Sequence, residues 1–183
     1  MTPKRNNGLS NVSIRAMSAS DSHGVSNLIL TLFNEFVAPG YSKKASKTFR
    51  RQTRRQSHCA ELREGESRLV AETLVDEARG ELVGVIGVRD VSHIHWLWVR
   101  KDWHRRGVAS ILLADVIAEI RRQRPDVMKI TLNSSPYAIP FYLRLGFQIS
   151  GEEIDKKGII CTPMKLDLEQ ASSEHNGVRE CSG

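Results

Sequence analysis

Hydrophobic and polar positions divide the chain into short alternating stretches and longer stretches with a helical repeat. Val12, Ile14 and Ala16 alternate with polar neighbours, which predicts a short strand. Val25, Leu28, Ile29, Leu32, Phe33, Phe36 and Val37 then recur at steps of mostly three and four, the pattern of a helix with one buried stripe. Ser18, Ser20 or Asp21 can cap its start, and Pro39-Gly40 stops it. A second helix is expected over about 43–58, with only Ala45 and Phe49 as apolar anchors. Segments 67–75 and 81–89 flank a polar turn containing Arg79-Gly80 and read as a hairpin, and 92–99 is a further strand. From Gly107 onward, Val108, Ile111, Leu112, Val116 and Ile120 form the apolar face of a long helix. Leu113 and Ile117 widen that face, as packing on a sheet requires. Met128, Ile130 and Leu132 alternate into another strand. Ser134-Ser135-Pro136 starts a helix, with proline tolerated in its first turn, and Leu145-Gly146-Phe147 ends it. Segments 147–153 and 158–167 supply the last strands.

This order predicts one α/β (α+β) unit: a mixed, mainly antiparallel central sheet of about seven strands with helices on both faces. The strand–helix–strand step from 92 to 133 makes its two strands a parallel pair. A domain is expected over 11–168, between polar tails at 1–10 and 169–183. With 183 residues, 40% of them hydrophobic, the chain is long enough to bury a core. No apolar run reaches the ~18 residues of a membrane span, and the polar N-terminus lacks a secretory signal. Cys59, Cys161 and Cys181 are odd in number and far apart, so neither a disulfide framework nor a metal site is expected, and a reduced cytoplasm is the natural setting.

The net charge of +6 is concentrated in one segment. From Phe36 to Ala60 there is no acidic residue, yet Lys43, Lys44, Lys47, Arg50, Arg51, Arg54 and Arg55 all fall there. On a helix they form a stripe that either is simply solvated or attracts an anion: nucleic acid, an acidic substrate or a phosphorylated ligand.

The stretch Val99-Arg100-Lys101-Asp102-Trp103-His104-Arg105-Arg106-Gly107-Val108-Ala109-Ser110 carries the clearest chemistry. A strand ends, a basic loop follows, and a helix begins at small residues. First-turn N–H groups lack intrahelical partners, the helix dipole adds positive charge, and Arg105 and Arg106 supply countercharge. The pattern is neither a P-loop nor a dinucleotide fingerprint, because the required lysine and glycine spacings are absent.

Arg106-Gly107-Val108-Ala109, following Val99, resembles the coenzyme-A loop of the GCN5-related N-acetyltransferase (GNAT) family, written Gln/Arg-x-x-Gly-x-Gly/Ala. Gly107 and Ala109 match it. The first position is His104, which can still donate to a phosphate. A second block, Asn133-Ser134-Ser135-Pro136-Tyr137-Ala138-Ile139-Pro140-Phe141-Tyr142-Leu143-Arg144-Leu145-Gly146-Phe147, is similar to the family's fifth strand and following helix, down to Phe-Tyr-x-x-Leu-Gly-Phe. Pro163-Met164 and the segment from Phe36 to Ser42 add to the likeness, which covers roughly residues 12–168.

The resemblance implies the acyl-CoA N-acyltransferase fold, in which the fourth strand (92–99) and the fifth (128–133) run parallel and splay apart after a bulge. It implies that acetyl-coenzyme A is co-substrate, with no metal. Pantetheine would bond the backbone of Leu97, Trp98 and Val99, and pyrophosphate would sit on the N–H groups from Arg105 through Gly107, Val108 and Ala109 to Ser110. Either Asn133 or Ser135 would make a further pantetheine contact. An amine would attack the thioester directly, the Val99 N–H at the bulge would meet the oxyanion, and Tyr142 would protonate the departing thiolate. For the base, His93 and His95 lie on one face of the fourth strand and titrate in the useful range, with Glu35, Glu72 and Asp90 as alternative carboxylates. Trp96 and Trp98 read as core packing. The acceptor amine is open, with a small molecule favoured over protein. The alternatives are a nucleic-acid-binding module acting through 43–55, and a degenerate protein that binds the coenzyme without turnover. A homodimer is the default expectation for a small enzyme.

Overall fold

The computed structural model describes residues 5–6, 11–53, 67–73, 80–155 and 158–168. Its strands are β1 (Arg5–Asn6), β2 (Val12–Ala16), β3 (Ser67–Thr73), β4 (Leu82–Arg89), β5 (His93–Val99), β6 (Lys129–Ser134), β7 (Gln148–Ile149), β8 (Ile154–Asp155) and β9 (Ile160–Asp167). Its helices are α1 (Ser22–Leu32), α2 (Lys43–Gln52), α3 (Val108–Gln123) and α4 (Ile139–Arg144). The sheet order is β1-β2-β3-β4-β5-β6-β9-β7, with β8 also paired to β9. All neighbours are antiparallel except β5 and β6, the expected parallel pair. Arg5–Asn6 pairs with β2, so part of the expected N-terminal tail belongs to the sheet. The Arg79 turn, Arg54 and Arg55 of the basic segment, Cys59, Cys181 and the tail 169–183 lie outside the described residues.

Alternation along the strands sends side chains to two cores. Ala71, Ile86, Ile94, Ile130, Leu132 and Met164 pack beneath Val108, Leu112, Leu113, Val116 and Ile120 of α3 and Tyr142 of α4. Val70, Val85 and Trp96 pack on the opposite face beneath Val25, Leu28, Ile29 and Leu32 of α1. Each fully buried aliphatic side chain contributes about 1.5–3 kcal/mol, so these faces hold the layers together. Gly84 on β4 lets α3 approach: a Cβ there would lie 3.0 Å from Leu112 and 3.2 Å from Val108. The first turns of α3 are thereby seated against the sheet, beside the end of β5.

The stripe predicted to run to Val37 as one helix changes pitch. After α1, Phe33–Val37 forms a π-helical turn and Ala38–Gly40 a 3-10 turn, the latter carrying Pro39. A wider turn of this kind re-aims side chains, and Phe36 ends half-buried at the edge of the core under α1. The expected anchors of α2 do face inward: Ala45 is buried, and Phe49 stacks on Phe33 with centroids 3.9 Å apart. At the other end of α1, Arg15 of β2 forks onto both oxygens of Asp21 (2.8 and 2.9 Å) and also reaches Glu72 of β3 (2.9 Å). Both carboxylates are buried. Burial pushes the Asp21 carboxyl up, but donors from Arg15 and Ser18 outweigh it and hold it at about 2.

Candidate active site

β5 and β6 pair only at His93–Thr131 and Ile94–Leu132, after which β5 continues to Val99 without a β6 partner. β6 stays paired with β9 along its whole length, from Lys129 opposite Asp167 to Ser134 opposite Thr162. A gap therefore opens between β5 and β6.

The peptide groups that line it follow from the β4 register. Gly87 opposes Trp96 whereas Val88 opposes Ile94, so His95 is the extra, bulged residue. The bulge sits at His95, not at Val99 as expected. Beyond it the Arg100 N–H donates to the Val83 carbonyl at 2.8 Å. Alternation then turns the peptide groups of Trp98 toward β4 and those of Leu97 and Val99 into the gap. Trp98 was expected to offer its backbone to a ligand; its peptide groups belong to the sheet instead.

The bulge also changes which side chains share a face. Ile94 joins the core under α3, while Trp96 lies under α1. His93 and His95, expected as equivalent neighbours, meet different surroundings. His93 Nδ1 lies 2.9 Å from Thr131 Oγ1 and its Nε2 lies 3.3 Å from Asn133 Nδ2. His95 is exposed at the bulge, its ring edge-on to Trp96.

At the wide end of the gap a cationic turn leads into α3. Arg105 and Gly107 are both left-handed, at φ 60° and 84°. Gly107 caps α3 without a side-chain hydrogen bond, and the first main-chain donor to return to it is Ile111 N–H, at 3.0 Å. The N–H groups of Val108, Ala109 and Ser110 thus have no acceptor within the helix. A Cβ on Gly107 would meet nothing within 4 Å, so the space beside this turn is open. Arg105 is exposed, and the Arg106 guanidinium lies 5.2 Å over the Trp103 ring. Arg100 holds the base of the turn, forking onto Asp102 at 2.7 and 2.8 Å and reaching Glu81 at 2.7 Å.

These elements form an open strand pair in which the Leu97 and Val99 peptide groups face the gap, closed by a positively charged helix start. The sequence matches the family description "Acetyltransferase (GNAT) domain" over residues 37–168. The chain belongs to the GNAT acetyltransferase family. No curated protein sequence matches it. Among solved structures it is similar to a GCN5-related N-acetyltransferase from Rhodopseudomonas palustris, with a TM-score of 0.69 at 18% identity, covering 89% of this chain and 99% of that one. A PaiA N-acetyltransferase from Thermoplasma acidophilum, in complex with coenzyme A, gives 0.65 at 14% identity over 85% and 98% of the two chains. A variant of the spermidine N-acetyltransferase SpeG from Vibrio cholerae gives 0.63 at 16% identity over 91% and 99%.

In this acetyltransferase His104, expected at a phosphate, instead points back to the gap: its Nε2 donates to the Val99 carbonyl at 2.7 Å. Its ring lies 5.6 Å from Phe36, which in turn stacks on Tyr137 at 5.3 Å. Phe36 comes from the π turn and Tyr137 from the loop after β6, so the mouth of the gap is bridged by rings that sequence reasoning assigned to core or to no role. Lys101 pairs with Glu35 and lies 5.7 Å over the Phe36 ring. Ser135 begins the turn before α4, its carbonyl accepting from Ala138 at 2.9 Å, while Asn133 stands next to His93 at the vertex. Tyr142 is buried, edge-on to Phe141 and Phe147, and burial raises its phenol well above the ordinary 10.0. Of the alternative carboxylates, Glu72 is buried with Arg15, Asp90 lies at the β4–β5 turn beside Arg89, and Glu35 is tied to Lys101. Among the described residues no group of His, Cys, Asp and Glu is placed to hold a metal ion, and no helix is long and apolar enough to cross a membrane.

Proposed function

We propose that this enzyme transfers the acetyl group of acetyl-coenzyme A to a primary amine by direct attack on the thioester, both reactants being held in the β5–β6 gap. One observation carries this reading: β5 loses β6 after Ile94 while Leu97 and Val99 still aim their peptide groups at the empty side. The residues fit the coenzyme. An extended chain of amides adds to an unpaired strand edge, and the open left-handed Gly107 turn suits a pyrophosphate. Bound there, acetyl-coenzyme A would supply the activated acyl group.

The chain's own residues do the rest. Leu97 and Val99 present N–H donors, either of which can meet a developing oxyanion without reorganising. His104 must release the Val99 carbonyl when a ligand amide takes its place. Asn133, or Ser135 further along the loop, offers a polar contact on the β6 side. Tyr142 keeps its proton at neutral pH and can donate it to a thiolate, whose own basicity rises in the same apolar surroundings. His95 is better placed than His93 to receive the amine's proton, because it is exposed at the bulge whereas His93 is half-buried beside Thr131 and Asn133. Holding both reactants together supplies much of the acceleration, up to about 7–11 kcal/mol.

The test is release of free thiol from acetyl-coenzyme A across a panel of amines, with wild type, His95→Asn and His93→Asn. Turnover that falls in His95→Asn and is restored at high pH supports the assignment. Full activity in that variant removes His95 as the base. Absence of any turnover, with coenzyme still bound, would leave a binding protein.

A further inference from the structure

Helix α2 carries charge that its own fold does not use. Lys43, Lys44, Lys47, Arg50 and Arg51 are all exposed, and among the described residues none of them forms an ion pair. Arg50 reaches only a neutral amide, its Nε and Nη2 lying 3.2 and 2.9 Å from Asn34 Oδ1. The first turn of α2 has no acidic residue, so Lys43 and Lys44 stand where the helix dipole already concentrates positive charge. A local preference broken in this way, with no ion-pair partner among the described residues, is what a binding site leaves behind.

The position of α2 indicates what would bind. Phe49 lays it over the β5 face, 6.3 Å from Trp96 and 6.1 Å from Trp98. Phe36, from the same side of the sheet, reaches His104 and Tyr137 across the mouth of the gap. The stripe from Lys43 to Arg51 is about 12 Å long and lies on the solvent side of the helix whose Phe49 packs over β5. Resting on the acetyl-transfer reading, we propose that the acceptor is an amine borne on a small molecule carrying phosphate or carboxylate groups, which α2 attracts and orients. A polyamine, the acceptor named for the SpeG enzyme of the same fold, would be repelled by this surface.

Titration calorimetry on coenzyme A-saturated protein tests this with ethanolamine, O-phosphoethanolamine and spermidine. Two unit attractions at about 6 Å in water already give roughly a tenfold preference. O-phosphoethanolamine should therefore bind about tenfold or more tightly than ethanolamine at low salt, with spermidine weakest. At 1 M salt, where the screening length is about 3 Å, the preference should vanish. The triple variant Lys47→Gln, Arg50→Gln, Arg51→Gln should bring the ratio close to one while coenzyme A binds as in wild type, which also shows that the variant folds. Equal binding of the matched pair, tighter spermidine, no binding of the phosphorylated probe, or a ratio that survives the triple variant overturns the proposal. A short duplex DNA that binds the same residues more tightly than the small anion also overturns it and assigns the stripe to nucleic acid. If coenzyme A does not bind, the acetyl-transfer reading fails separately, and the same titrations on unliganded protein still read the stripe.

Discussion

Replacing Gly107 with alanine separates the cost of a strained turn from the cost of a blocked phosphate cradle. Gly107 has φ 84°, a region where an L side chain costs about 1–2 kcal/mol. The added Cβ would meet no atom within 4 Å, so without ligand the loss is conformational only. For a domain of this size 1 kcal/mol lowers the melting temperature by about 2–4 °C. Coenzyme A at 100 times its dissociation constant adds about 2.7 kcal/mol, or roughly 5–11 °C, to wild type. In the variant the methyl group enters the open space beside the first turn of α3, where a phosphate held by the Val108, Ala109 and Ser110 donors would lie. Losing even one charge-assisted hydrogen bond there costs about 1.5–3 kcal/mol of binding, so at the same coenzyme concentration most of the shift should disappear. Gly146→Ala is the control: its φ is 86°, its Cβ would make only an ordinary 3.4 Å contact with Leu166, and it lies after α4 rather than in the cradle. It should lose similar stability yet keep the full coenzyme shift. Differential scanning fluorimetry with and without coenzyme A reads both quantities. A Gly107→Ala protein that keeps the full shift would refute the phosphate cradle.

Asp21 has a folded-state pKa of about 2 against an ordinary 3.8. Its stabilisation, about 2 kcal/mol at 1.36 kcal/mol per pH unit, should therefore be complete above about pH 4 and lost as pH falls toward 2. Urea melts across that window should show it, and Asp21→Asn should flatten the dependence. In the β4–β5 turn the Ser92 N–H donates to the Asp90 carbonyl around Val91, a β-branched residue at φ 69°; Val91→Gly should stabilise the protein by about 1 kcal/mol, and an unchanged or lower melting temperature would show the turn is not strained. Tyr142→Phe should lower kcat by about 100-fold while the coenzyme-induced melting shift stays intact, and an unchanged kcat would exclude Tyr142 as proton donor.

The elements whose signals are local were legible in the sequence. The period of Val108 to Ile120 announced α3, the alternation of Met128, Ile130 and Leu132 announced β6, and the residues from Val99 to Ser110 announced a basic turn leading into a helix, because small residues, cations and a helix start are neighbours in the chain. The inserted residue at His95 left no such trace. One extra residue reverses the alternation of faces, and only the register against β4 reveals it. The same holds for His104, whose orientation toward Val99 depends on where β5 ends relative to α3. It holds also for Phe36, His104 and Tyr137, which come from separate parts of the chain and meet because a π turn and a strand divergence bring them there.

The sequence by itself thus determined the order of strands and helices, the basic stripe of α2 and the turn before α3, since each depends on residues within a few positions of one another. Only the tertiary structure decided which peptide groups face the gap, which histidine is committed to Asn133 and which rings cover the mouth. Those depend on how strands pair and part, and pairing partners are set by packing across the whole sheet rather than by the residues beside them.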